Sequence, residues 1–145
     1  MKPQIIRVLL VVLLVTGSAS AAAASAVVVV NERNEANSVS AEQLRQLLLG
    51  RQSFWGGNVR VVTAAMPLTD PAMAAFCTEI LRKSPDQFQS YWRSRIFSGE
   101  GGAPRTFARA EDAVAFVRDN PGGIAVLTAA PAALVGAKVL PVRGD

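Results

Sequence analysis

The sequence predicts an α/β domain with a central, mostly parallel sheet and helices on both faces. Three observations predict it. Short β-branched runs alternate with helix-period segments, in the order β-α-β-α-α-α-β-(α)-β. The first run, Val27 to Val30, is four consecutive valines, the pattern of a strand buried on both faces, as in a parallel sheet. Three helix starts carry caps at Ser40, Asp70-Pro71 and Ser84-Pro85, each followed by an apolar stripe.

The first 26 residues are read as a secretory leader. Lys2 and Arg7 flank the apolar run Val8 to Val15, small residues follow, and Ala24-Ser25-Ala26 is a cleavage pattern, with Ala19-Ser20-Ala21 as a second candidate. The run is shorter than the about 20 apolar residues that span a bilayer. The cleavage region holds no cysteine, which argues against a lipid anchor. The expectation is an exported, periplasmic protein with one domain over residues 27–145, long enough for its own core. Without Lys2 and Arg7 the net charge falls from +4 to +2, and no basic run points to nucleic acid or a membrane surface. The chain has no histidine and a single cysteine, Cys77. That excludes an internal disulfide and every histidine-based catalytic or metal site.

In chain order, Val27 to Val30 opens the sheet and Asn31 to Asn37 is a polar loop. Ser40, with Gln43 as the capping-box partner, starts a helix with Leu44, Leu47 and Leu48 on one face, and Gly50 stops it. A loop then holds Trp55-Gly56-Gly57, with Trp55 expected to fold back onto the core rather than face a ligand or partner. Val59 to Ala64 is the second strand. Asp70 caps and Pro71 opens a helix whose core stripe is Met73, Phe76, Cys77, Ile80 and Leu81. Cys77 is therefore read as a small buried hydrophobe rather than a reactive thiol. Ser84-Pro85, with Gln87, starts a helix anchored by Phe88, Trp92 and Ile96 at four-residue spacing. Ala110, Ala113, Val114 and Val117 form a further helical stripe, which ends at Asn120-Pro121-Gly122-Gly123. Ile124 to Leu127 is a buried strand, Ala129 to Leu134 a turn or short helix, and Val139 to Val142 a last short strand.

The Phe88 helix runs into Ser98-Gly99-Glu100-Gly101-Gly102-Ala103-Pro104, with Arg93, Arg95, Arg105 and Arg109 around it. Such a turn exposes backbone N–H groups beside guanidinium groups, which suits an anion. The plainer reading is that Gly99 caps the helix and that Arg93 and Arg95 are solvated surface. Glu111-Asp112 is the one close carboxylate pair considered, and it opens a helix, where acidic residues favour the macrodipole. No catalytic residue, metal site or cofactor is expected.

Leu47-Leu48-Leu49-Gly50-Arg51 leading to Trp55 resembles the I-F-x-G-x-x-x-x-W passage of phosphate ABC-transporter substrate-binding proteins. Asn120-Pro121-Gly122-Gly123-Ile124-Ala125 resembles that family's T-P-G-x-I-G-Y-V. The resemblance covers nearly all of residues 27–145. It implies a single lobe of a type 2 periplasmic-binding-protein-like fold, since a full receptor closes two lobes on its ligand. In the family an Arg and a Ser-Gly-Thr at a helix start grip phosphate. Here Asp70, Pro71 and Ala72 stand at the Ser-Gly-Thr and Ala65 or Met66 at the Arg, leaving only Thr69 of the grip. Proline also removes an N–H donor. The candidate ligand-binding residues are Thr69, Ser98, Gly99, Gly101 and Arg105. The expected partner is a small, phosphate-like anion or polar solute held weakly, or else a transporter or sensor protein if ligand binding has been lost. An exposed patch at Trp55 and Tyr91 would favour the second, and a polar cleft with Ser98 and Arg105 the first.

Overall fold

The computed structural model describes residues 26–131 and 133–144, so the predicted leader lies, except for Ala26, outside the described residues. The elements are β1 (Val27–Asn31), β2 (Val39–Ser40), α1 (Ala41–Leu48), β3 (Val62–Ala65), α2 (Pro71–Phe76), a π-helical turn (Cys77–Leu81), α3 (Pro85–Phe97), β4 (Arg105–Thr106), α4 (Ala110–Asp119), β5 (Gly123–Leu127), β6 (Ala137–Val139) and β7 (Val142–Arg143). Among the described residues no helix is long and apolar enough to cross a membrane.

The main sheet has the order β4-β3-β5-β1-β6. β3 pairs parallel with β4 and β5, while β1 pairs antiparallel with β5 and β6. Among the described residues, four of these five strands run one way and only β1 is reversed, so the sheet is mostly parallel as expected. The correction concerns the valine strand itself. It is buried on both faces, but its neighbours run against it. Burial on two faces follows from helices covering both sides, not from strand direction.

Both faces are covered. Val28 and Val30 of β1, with Ile124 and Val126 of β5, face a large core built from α1, α2, the π turn and α3. Val29, Ala125 and Leu127 point to the opposite face, against Ala113, Val114 and Val117 of α4. This is the period-2 alternation of a strand between two apolar layers. Each fully buried aliphatic side chain contributes about 1.5–3 kcal/mol.

The helix starts follow their caps. Ser40 Oγ accepts from Gln43 N at 3.0 Å and Asp70 Oδ1 from Ala72 N at 2.9 Å. Ser84 and Gln87 form a reciprocal capping box before Pro85. The predicted core stripe of α2 holds, with Met73, Phe76, Cys77 and Leu81 buried, although the last turn widens to π geometry.

Several local expectations are corrected. Asn31 ends β1 rather than opening a loop, and its buried amide donates to the carbonyls of Val117, Arg118 and Asn120 at 3.0–3.2 Å, closing the end of α4. The second strand is Val62–Ala65; Val59 and Arg60 belong to a tight loop in which Trp55 N donates to Val59 O and Val61 N to Ser53 O. The predicted final strand is two pieces. β6 joins the main sheet, and β7 pairs parallel with β2, because Leu140 turns into the core and Pro141 has no N–H to continue a ladder. For Ala129 to Leu134, read as a turn or a short helix, the described residues form no helix, which agrees with the first alternative. Ile96 is 52% exposed, since the last turn of α3 projects past the core that holds Phe88 and Trp92.

Candidate functional site

The glycine turn is reached through α3, which is fixed to the molecule by Phe88 in the core and by contacts of Trp92, Tyr91 and Arg95. The far edge of the Trp92 ring lies against Gly50, where a Cβ would come within 2.7 Å of Cη2. The Tyr91 hydroxyl donates to Leu49 O at 2.6 Å. The Arg95 guanidinium donates to Tyr91 Oη at 3.2 Å, Gly50 O at 3.4 Å and Glu100 O at 3.3 Å, with the Glu100 carboxylate 3.7 Å away. Arg95 is thus a strut between the end of α1 and the start of the turn, not solvated surface.

Beyond Phe97 the helix ends as the plainer reading expects. Gly99 takes φ 75°, which serves as the left-handed terminator. Ser98 Oγ folds back on the Ser94 and Arg95 carbonyls at 3.1 and 3.2 Å. The chain then descends through Gly101 and Gly102 into β4, an edge strand that sequence reasoning missed because two residues carry no period. There the Arg105 guanidinium lies 5.8 Å from the centre of the Phe116 ring.

This descent leaves a polar cleft of about 320 Å³ beside the first residues of β3 and β4. Gln52, Ser53, Arg60, Thr63, Glu100 and Arg105 supply its polar walls, Gly101 and Gly102 its backbone, and Trp92 and Phe116 its apolar floor. Of the five residues singled out from the sequence, Gly101 and Arg105 line it; Thr69, Ser98 and Gly99 do not. Arg60 was missed. Its signal was a cation just ahead of the β-branched run Val61-Val62. Arg109 turns away and pairs with Glu111 at 3.7 Å. Two guanidinium groups, Arg60 and Arg105, therefore line the cleft with one carboxylate, Glu100, which Arg95 pairs at 3.7 Å from outside the lining, and the balance favours an anion.

The start of α2 has the opposite character. The Asp70 carboxylate already accepts the Ala72 N–H, Pro71 donates nothing, and Thr69 is exposed in the turn before them. Neither aromatic considered as a partner-facing residue is free. Trp55 is buried with its Nε1–H donated to Gly122 O at 3.0 Å, and Tyr91 is held as described. Exposed large hydrophobics lie elsewhere, among them the neighbours Ile96 and Phe97, the latter 87% exposed. Cys77 is fully buried, and that desolvation pushes its thiol up to about 11. It is inert as a nucleophile at neutral pH.

The same lobe occurs in solved structures. An ABC-type phosphate transport receptor from Vibrio cholerae superposes with a TM-score of 0.62 at 14% identity, over 83% of this chain and 47% of the receptor. A structure described as a possible phosphate binding protein from Planctomyces limnophilus DSM 3776 superposes with a TM-score of 0.54 at 12% identity, over 83% of this chain and 42% of the other. The chain spans less than half the length of either. No protein family model matches it, and no curated protein does. At these identities the likeness establishes the fold, a periplasmic-binding-protein-like lobe.

Proposed function

We propose that this chain is an exported solute-binding module of the periplasm, one lobe in size, which takes a small anion weakly in the polar cleft and acts by binding rather than by catalysis. The observation that carries the reading is the charge balance of that cleft. Arg60 and Arg105 line it with a single carboxylate, Glu100, which Arg95 already pairs from outside the lining, beside backbone that Gly101 and Gly102 leave uncovered. The fold shared with a phosphate transport receptor and a possible phosphate binding protein supports a solute-binding role. It does not carry tight phosphate binding with it. Asp70 and Pro71 occupy the helix start where the resemblance would seat the ion, and a carboxylate about 4 Å from a phosphate oxygen is repulsive by ~4 kcal/mol at an effective dielectric of 20, about a thousandfold in affinity.

Phosphate is expected to bind with a dissociation constant weaker than about 100 μM and nearer 1 mM. A nuclear magnetic resonance titration at low ionic strength should shift the amides of Gly101 and Gly102 and leave Thr69 and Ala72 unmoved. Arg105→Ala should abolish the shifts. Micromolar affinity, or shifts centred on Thr69 to Ala72, would overturn the reading. The second reading, a transporter- or sensor-facing module, is favoured by the adjacent exposed pair Ile96 and Phe97.

A further inference from the structure

A second cavity lies on the other side of Trp92 and Ala103, which are walls of both. It measures about 420 Å³, within the about 300–1,000 Å³ of ordinary ligand pockets. It opens at the carboxyl ends of β3 and β4, where Ala65, Met66 and Thr106 leave the sheet; open α/β sheets bind ligands at such ends. Its inner wall is apolar, from Met66, Leu68, Phe88 and Trp92, and the exposed Ile96 and Phe97 extend that surface outward. Among the lining residues the one charge is Arg93, exposed on α3 one turn after Gln89 and with no ion pair among the described residues. A wholly apolar occupant would leave that guanidinium unmatched, and an inorganic ion would leave the apolar wall uncovered.

We infer that this cavity binds a small organic monoanion with an aromatic or short aliphatic body, its carboxylate at Arg93 and its body against Met66, Leu68 and Trp92. The site shares the Trp92 and Ala103 walls with the polar cleft, but its ligand lies on their other side and does not depend on what the cleft holds. The ligand class differs from phosphate because shape and charge are divided between two walls. The apolar wall supplies most of the affinity, and Arg93 selects the acid over its neutral counterpart.

Calorimetric titration with 1-naphthoate and with 1-naphthalenemethanol tests this. The acid is expected to bind at least tenfold more tightly than the alcohol. Arg93→Glu, at an exposed position, should weaken the acid at least tenfold and leave the alcohol unchanged. Arg51→Glu, the same charge reversal at an exposed residue that lines neither cavity, should change neither. No heat from either compound at millimolar concentration, or equal losses in Arg93→Glu and Arg51→Glu, would overturn the inference. So would sedimentation that finds a dimer dissociated by Phe97→Asp, because a second copy would then cover the groove.

Discussion

Gly122 and Gly123 sit where β3, β5 and α4 converge, whereas Gly101 and Gly102 sit where nothing converges. A Cβ on Gly122 would lie 1.8 Å from Arg60 O, and one on Gly123 would lie 2.9 Å from Val117 Cα. A Cβ on Gly99, Gly101 or Gly102 would meet no atom within 4 Å. In the sequence the two stretches look alike, each a glycine cluster with a proline after a helix. In the fold one is a packing requirement and the other an opening. Glycine near the sheet lets backbone approach backbone, so that Gly122 O can accept from both Val62 N and the Trp55 indole. Glycine beside the cleft leaves open space.

The contrast is sharpest at Gly122→Ala. The clash is with backbone that cannot swing aside, so the variant is expected to lose about 3 kcal/mol or more and to fold poorly. Urea denaturation that found a loss under ~1 kcal/mol would erase the distinction between the two stretches. Gly50→Ala should come next, at about 1–3 kcal/mol. Its Cβ would press on Trp92, and its φ of 69° disfavours any side chain. The same denaturation series measures it, with Trp92 fluorescence reporting the shifted ring. Gly102→Ala should be smallest, within about 0.5 kcal/mol of the parent, because it has open space and no left-handed backbone to strain. A large loss there would mean that the turn is packed against something, and the cleft would cease to be an opening.

What could be read from the sequence was local. Ser40, Asp70-Pro71 and Ser84-Pro85 place helix starts because a cap and its partner lie within three residues. The stripe Met73, Phe76, Cys77 and Leu81 was legible for the same reason. What could not be read was long-range. Nothing in four valines states the direction of strands that arrive late in the chain. Asn31 looks like a loop residue until α4 is placed above it, 86 positions away. Arg95 reads as surface until Gly50 and Tyr91 are brought beneath it. Among the cleft's lining residues, Arg105 and Gly101 stood out by composition alone, whereas a tight loop carries Arg60 there and strand pairing carries Thr63, neither of which any spacing announces. Ser98 was a reasonable candidate by type, but its hydroxyl is taken up by the helix it ends.

The reversed strand sets the timing of folding. β1 is the first element of the described chain, yet its partners are Ile124 to Leu127 on one side and Ala137 to Val139 on the other. No neighbour in the sheet exists until almost everything downstream has been made. Contacts of such long reach close slowly. In the interval Val27 to Val30 is an uncharged, β-prone segment without a proline, the kind that finds the same segment in another molecule. A version of this chain cut before β5 would lose both strands that pair with β1, and Val27 to Val30 would stand open to self-association.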